Sequence, residues 1–404
     1  MTVELPEKDV EWYRKIVGDR VDELLELARD LKGLRVIHVN ATSFGGGVAE
    51  LLYTLVPLMR SLGLDARWEV MEAPQNFFNI TKKFHNTLQG AELIVRDDEW
   101  EFYETVSAEN SRKLNLEGDL LVIHDPQPAA ILKYLSRKPR AIWRCHIDLS
   151  SPNEDVWSRF KTYLEGYDLM LFHLKEYFPK GFERISRAFP PSIDPLSDKN
   201  RELDESEIRA VLDKYSLDSS RPILTVVARF DPWKDLFSAI DVYRKVKEGH
   251  DVQLAIVSAM AHDDPEGWIF YEKVLRYACQ DEDIHFLTNL IGVGSKEVNA
   301  IQRASTVGLH TATREGFGLV ISEMMWKGNP VVARPAGGVK IQIDDGINGF
   351  LRWNVDDLAD SILKLLKNEK LRNEMGRRAR EKVMENFLTT SHLKRYLEVF
   401  KKLV

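Results

Sequence analysis

The stretch Thr311-Ala-Thr-Arg-Glu-Gly-Phe-Gly-Leu-Val-Ile-Ser-Glu-Met-Met325 decides how the rest of the chain is read. A β-like segment, Thr306 to His310, precedes it, and an apolar run that reads as the start of a helix closes it. Glu315 stands in the glycine loop Gly316-Phe317-Gly318, and Glu323 follows it by eight positions, about a turn and a half into the helix. A helix start offers unpaired backbone N–H groups and the positive end of a dipole, and so attracts phosphate. Gly316 and Gly318 let a ligand reach the main chain without a Cβ in the way. A carboxylate further along the helix can accept hydrogen bonds from a hydroxyl pair such as a ribose. The stretch suits a sugar nucleotide. The plain alternative is an ordinary strand-to-helix turn with a solvated glutamate.

Outward from this stretch the same alternation recurs. Short apolar strands are expected at Leu34 to Asn40, Asp65 to Val70, Leu120 to His124, Ala141 to His146 and Leu169 to Phe172. A second set follows at Pro222 to Ala228, Val252 to Ser258, Ile284 to Leu287, Thr306 to His310 and Asn329 to Ala333, with a short strand near Gly346 to Leu351. Helical stretches lie between and after them, the last at 355–367, 369–386 and 390–402. Ala188-Phe-Pro-Pro-Ser-Ile-Asp-Pro195 and the charged run after it mark the domain boundary. The expected class is therefore α/β, with two doubly wound, Rossmann-like domains and the active site in a cleft between them. The expected divisions are 1–193, 194–386 and a final helix, 387–404, crossing back to the first domain.

Several polar residues fall where such folds bind ligands. His124, Asp125, His146 and Asp148 stand at the carboxyl ends of strands. They can be structural or form a site; no His-x-x-x-His or Cys-x-x-Cys spacing points to a metal. Gly45-Gly46-Gly47 lies between a strand and a helix, which favours phosphate or is a flexible turn. The dinucleotide spacing G-x-G-x-x-G is absent there. Phe77, Phe78 and Phe84 are core residues or a lid over a sugar. Arg229 and Lys234 flank a turn after the first strand of the second set, within reach of one phosphate group, and are otherwise two surface cations.

Composition narrows the classes. A net charge of -7 over 404 residues gives no basic footprint, so nucleic acid is not expected as the main partner. Two cysteines, Cys145 and Cys279, fit a reducing compartment. Met1 to Asp9 has no apolar core of a leader, and no apolar run approaches the ~18 residues of a membrane span. A cytoplasmic location without membrane contact is expected. The charged fraction, 29%, suits a thermophile.

With these residues in view, the chain resembles the retaining nucleotide-sugar glycosyltransferases of the GT-B fold, family four. The resemblance rests on Glu315 and Glu323 with seven residues between, on Arg229 and Lys234, and on Gly45-Gly46-Gly47. Trp143-Arg-Cys-His-Ile-Asp-Leu-Ser150 and Gly45-Gly-Gly-Val-Ala-Glu-Leu-Leu52 look like the trehalose synthase branch, which is related to the fungal-type trehalose phosphorylases. The resemblance implies that an NDP-glucose donor (UDP- or ADP-glucose) gives its glucose to free glucose, reversibly, to make trehalose. It implies that Arg229 and Lys234 bind the diphosphate and that Glu315 faces the transferred sugar. It further implies that Gly316, Phe317, Gly318 and the amides near Leu319 and Val320 approach the phosphates, and that Glu323 holds the ribose. Gly45, Gly46 and Gly47 would border the donor phosphate, and His146 and Asp148 the reacting sugar. Asn40, Phe44, His85, His124, Asp125 and Gln127 are the acceptor-side candidates. No tightly bound cofactor or resident metal is implied, although Mg2+ could accompany the nucleotide sugar, and a homodimer is an open assembly. Rival readings are a trehalose phosphorylase, a sugar-nucleotide epimerase, a non-catalytic sugar-nucleotide sensor and a paired-carboxylate glycosidase.

Overall fold

Two all-parallel sheets organise the chain. The structure, a computed structural model, describes residues 1–44, 47–260 and 265–404. The expectations for Gly45 and Gly46 therefore lie outside the described residues. The chain divides into two compact units: Met1–Pro191 with Thr389–Val404, and Ser192–Leu388.

The first unit holds β1 Arg35–Asn40, β2 Asp65–Val70, β3 Leu120–His124, β4 Arg140–Arg144, β5 Leu169–Phe172 and β6 Ser186–Ala188. Their order is β2-β1-β3-β4-β5-β6. β3 is buried at all five residues, as a strand covered on both faces must be. β6 has no counterpart in the sequence reading. It is three residues long, sits at the sheet edge and exposes Arg187 and Ala188, so it carries no apolar run to detect. The segment Gln75–Leu88 is a helix whose Phe77 and Phe84 are fully buried against Tyr103, which makes them core residues and not a lid. The closing helix, Thr389–Leu403, buries Leu393, Tyr396, Leu397 and Phe400, the spacing of one helical face. That face packs on the helices Arg20–Ala28 and Gly47–Ser61.

The second unit holds β7 Ile223–Val227, β8 Gln253–Ser258, β9 Ile284–Thr288, β10 Val307–His310, β11 Val331–Ala333 and β12 Gly349–Leu351, in the order β12-β11-β10-β7-β8-β9. Alternate residues feed two cores. Leu224, Val226, Leu254 and Ile256 pack under the helices Leu236–Lys247 and Val355–Lys367. Ile223, Ala255 and Val257 face the helices Glu205–Lys214 and Ser295–Ala304 on the other side. The period of two in a strand produces this division.

Strand order fixes where a ligand can sit. In the first sheet the chain runs from β1 out to β2, then returns to β3 on the other side of β1. In the second it runs from β7 out to β9, then returns to β10 on the other side of β7. Each reversal opens a crevice at the carboxyl ends of the two strands that flank it. These crevices receive Asn40, Thr42 and Gly47 with His124–Gln127 in one unit, and Arg229–Lys234 with Thr311–Gly318 in the other.

One close approach holds the second unit's helices together. A Cβ on Gly376, in the helix Glu369–Asn386, would stand 1.9 Å from the Gly328 carbonyl oxygen. Gly376→Ala should therefore force the helix off that turn and lower stability by about 1–3 kcal/mol in urea unfolding. An unchanged midpoint would contradict the contact.

Candidate active site

At the reversal in the second unit, a turn and a strand end share one carboxylate. Lys234 closes a short 3-10 turn, Pro232–Lys234, and its Nζ donates to Glu315 Oε2 at 2.7 Å. His310, the last residue of β10, places Nε2 3.1 Å from the same oxygen. Burial pushes the Glu315 carboxyl up. His310 and Lys234 together outweigh it and bring the pKa down to about 2. Glu315 is thus ionised at neutral pH and pins the Lys234 ammonium at the strand ends.

The turn that carries Lys234 is itself held from below. Asp235 adopts a left-handed conformation, φ 46°, and its side chain caps the helix Leu236–Lys247 by accepting from Ser238 N. Thr311 Oγ1 donates to the carbonyls of Lys234 and Asp235 at 3.0 and 2.9 Å. Arg334, at the end of β11, donates to Asp235 Oδ2 at 2.6 Å, to the Thr311 carbonyl at 2.7 Å and to Ser238 Oγ at 2.9 Å. Its Nε donates to the Trp353 carbonyl. Arg229 stands outside this network. Its side chain is 72% exposed and lies 3.6 Å from Asp231.

The glycine loop is clamped as well. Gly318 has φ 81°, and a Cβ there would press on Glu315 Cγ at 3.1 Å. A Cβ on Gly338 would meet Phe317 Cα at 2.6 Å, so the loop lies directly on Gly338. Gln342 Nε2 donates to the Phe317 carbonyl at 2.7 Å, and Ser322 Oγ donates to Gln342 Oε1 at 2.6 Å. The loop delivers the chain into the helix Leu319–Trp326, whose first residues, Leu319 and Val320, are half-buried. Among the described residues, no acceptor meets the amides of Leu319 and Val320, the usual condition of a helix start.

Glu323 lies further along that helix and is 5% exposed. Lys199 Nζ stands 3.7 Å from its carboxylate. Lys327, one turn on, donates to the Lys199 carbonyl and to Asn200 Oδ1. Burial pushes the Lys327 ammonium down to about 7, although Glu323 pulls it back up.

At the reversal in the first unit, a pocket of about 170 Å³ is lined by Asn40, Thr42, Gly47, His124, Asp125 and Gln127, with small apolar neighbours. Asn40 is oriented by Trp68, whose Nε1 donates to Asn40 Oδ1 at 2.9 Å. Asp125 holds φ 67°, a strained backbone for a residue with a side chain. Three bonds enforce it. Asp125 N donates to the Arg144 carbonyl, Trp143 Nε1 donates to the Asp125 carbonyl, and His146 N donates to Asp125 Oδ1 at 2.8 Å. Burial pushes the Asp125 carboxyl up to about 6, against the pull of the His146 amide and Arg144. Both ring nitrogens of His124 and of His146 are engaged by other histidines. Asp148 accepts from Ser150 N in a local turn. Neither His146 nor Asp148 is among the pocket's lining residues, nor are Phe44, which is 79% exposed, and His85, half-buried in the last turn of its helix. Among the described residues no group of three or more His, Cys, Asp or Glu is arranged to hold a metal ion. Among them too, no helix is long and apolar enough to cross a membrane.

His310, Arg334, Gly338, Gln342, Lys199 and Lys327 were not singled out from sequence. His310 and Arg334 end apolar strands as His124 does, and that position was the available signal.

Comparison with known proteins finds relatives along nearly the whole chain. The family model for the N-terminal domain of trehalose synthase matches residues 38–179, and that for group 1 glycosyl transferases matches residues 207–382. A trehalose synthase of Pyrococcus horikoshii is 50% identical over 401 residues, covering 98% of this chain and 97% of its own. A trehalose phosphorylase of Pleurotus pulmonarius is 26% identical, and the match covers 96% of this chain but 60% of that protein. Among solved structures, an Escherichia coli trehalose-6-phosphate structure bound with UDP-2-fluoro glucose superposes with a TM-score of 0.71 at 15% identity. It covers 92% of this chain and 99% of its own, and gives the fold as GT-B.

Arg334→Met keeps the apolar bulk but removes the Arg334 bonds to the Thr311 carbonyl and to the Asp235 carboxylate, which keeps Ser238. Denaturant unfolding should show a loss of about 1–3 kcal/mol, the cost of losing hydrogen bonds to a charged group and leaving a carbonyl unmet. A loss under ~0.5 kcal/mol, typical of a surface change, would contradict this role.

Proposed function

The chain belongs to the trehalose synthase family of group 1 glycosyltransferases, and from that premise we propose that it makes trehalose from NDP-glucose and free glucose, reversibly, with retention at the anomeric carbon. It is a hexosyltransferase in trehalose-related glycosyl transfer. The nucleotide sugar, the acceptor and the stereochemistry are this reading's own.

One observation carries it: the ammonium of Lys234, fixed 2.7 Å from an ionised Glu315 at the crevice of the second sheet. Breaking the donor's anomeric C–O bond puts the bonding electrons on a diphosphate oxygen. Fixed positive charge must already stand where that anion forms. Lys234 supplies a point charge without having to be recruited from solvent. The amino end of the helix at Leu319 and Val320 supplies amide donors, and Gly316 and Gly318 keep side chains out of their way. Arg229, largely exposed, would turn its guanidinium fork onto the diphosphate as the donor arrives. Glu323, held near Lys199, would accept from the ribose hydroxyls. Any Mg2+ would enter with the nucleotide sugar.

On the acceptor side, Asn40, Asp125 and Gln127 offer hydroxyl partners in the first unit's pocket, with His124 as a wall. In same-face attack the acceptor oxygen forms the new C–O bond as the old one breaks. Its proton passes to the departing diphosphate oxygen. No enzyme carboxylate is then needed as a nucleophile, and Glu315 is unsuited to donate a proton because it stays ionised.

The purified chain should form trehalose from NDP-glucose and glucose, and consume trehalose with NDP but not with inorganic phosphate alone. Lys234→Ala and Arg229→Ala should each lower kcat by ~10²-fold or more, as lost anion-stabilising donors do. Near-wild-type rates in both variants would remove the charge-stabilisation account. Phosphate-driven consumption of trehalose would make the chain a phosphorylase, and turnover of donor without acceptor would favour an epimerase.

A further inference from the structure

Four histidines stand in or just after four neighbouring strands, His38 inside β1 and the others at or beyond the ends of β3, β4 and β5, and their rings form a continuous row. His38 Nδ1 lies 3.0 Å from His124 Nε2, His124 Nδ1 lies 3.1 Å from His146 Nε2, and His146 Nδ1 lies 3.2 Å from His173 Nε2. His38, His124 and His173 are buried, and His146 is half-buried. The nitrogens face one another in pairs and do not converge on a point, so the arrangement is not a metal cage.

Counting protons limits what the row can do. A neutral imidazole carries one N–H and one lone pair. Four neutral rings carry four ring protons, and the three links use three of them. If any ring differed in tautomer from its neighbour, one link would set two N–H groups or two lone pairs against each other. The row therefore has two permitted orders, all protons on Nδ1 or all on Nε2, and no ring can switch without the rest. A fifth proton leaves all three links intact only if both end nitrogens, His38 Nε2 and His173 Nδ1, carry N–H groups, and both atoms are buried.

Charge around the row opposes that fifth proton. Arg144, on β4, is fully buried, and none of its three guanidinium nitrogens meets an acceptor among the described residues. It lies 5.3 Å over the Phe189 ring. The other groups facing the row are Asp125 beyond β3, and His392, Arg395 and Tyr396 from the closing helix. Burial first, then Arg144, hold His146 and His173 well below the ordinary histidine range. Burial, His38 and Arg144 do the same to His124, and burial alone brings His38 to about 3. Asp125 is the only carboxylate in this set, and its carboxyl is tied to the His146 amide.

We propose that His38, His124, His146 and His173 form a single tautomer-ordered row that fixes the ring of His146, the histidine expected to border the reacting sugar, which makes the other three positioning residues. The purpose, though not the order, rests on the transferase reading above. The tautomer of a histidine is set by what its other nitrogen bonds; here both nitrogens of His146 are bonded, so its ring can neither turn nor exchange tautomers independently. The turn it heads, His146–Ile147–Asp148, is thereby anchored to the sheet through a side chain as well as through the backbone.

Ring-nitrogen NMR of the full-length chain tests this without substrate. All four rings should be neutral, share one tautomer, and show no titration from about pH 5 to about 8, the interval in which an ordinary histidine changes charge. Mixed tautomers, or a titrating ring in that interval, would overturn the row. His173→Phe should leave the chain folded by unfolding midpoint but free His146 Nδ1. The His146 signals should then show mixed tautomers and kcat should fall by up to about 10²-fold, the cost of a small misplacement near the reacting atoms. His173→Gln, which can donate and accept, should recover most of the rate and the single His146 tautomer. A folded His173→Phe with wild-type kcat and unaltered His146 signals would also overturn the proposal. If His173→Phe does not fold, the wild-type spectrum decides the order and His173→Gln, compared with wild type, decides the purpose. A wild-type chain with the shared tautomer but no transfer to glucose would sink the transferase reading and leave the order of the row standing.

Discussion

A buried carboxylate that must stay charged needs a cation beside it, and most of the second unit is built to supply one at a fixed point. Glu315 meets Lys234 and His310, and each is placed by a different strand end. Lys234 comes from the turn after β7, and His310 ends β10. The two strands are neighbours only because the sheet reverses its order between them. The ion pair therefore depends on topology. Arg334 then locks the turn from β11, so three strands agree on where one ammonium stands. In the low-dielectric edge of a sheet a charge so fixed acts on an incoming anion more strongly than a solvated lysine could.

The first unit solves an analogous problem with neutral groups. Its crevice carries polar strand ends that would be costly if left unpaired. The imidazoles link to one another, Trp68 meets Asn40 and the His146 amide meets Asp125, while Arg144 has no acceptor among the described residues. What remains for a ligand is a small pocket whose polar atoms are oriented before anything enters. The strained Asp125 backbone is the cost of aiming one carboxyl into that pocket. One unit thus offers fixed charge and the other fixed hydrogen-bond partners.

Much of this was legible in the chain. The strands of both sheets show as apolar runs because parallel strands are covered on both faces. β6 does not, since an edge strand of three residues needs no such run. The Glu315 loop was legible because glycine and charge spacing are local. The residues that hold it were not. Arg334 meets Asp235 across 99 positions, and Gln342 meets Phe317 across 25. Such pairs are made by folding and leave no spacing signature. The histidines show the same limit: His124 and His146 could be placed at strand ends, but the bonds among the four required the register of β1, β3, β4 and β5. Phe77 and Phe84 show the converse, since a sugar-binding look in sequence dissolved once Tyr103 was found against them.

The most direct test of the central claim is calorimetric titration of the full chain with UDP and ADP, comparing wild type with Lys234→Ala. If a preset ammonium receives the diphosphate, whichever nucleotide binds the wild type should bind the variant about tenfold more weakly or worse, a loss of at least ~1.4 kcal/mol. The corresponding nucleoside without phosphate should bind both alike. Equal diphosphate affinity in the two proteins would contradict the account.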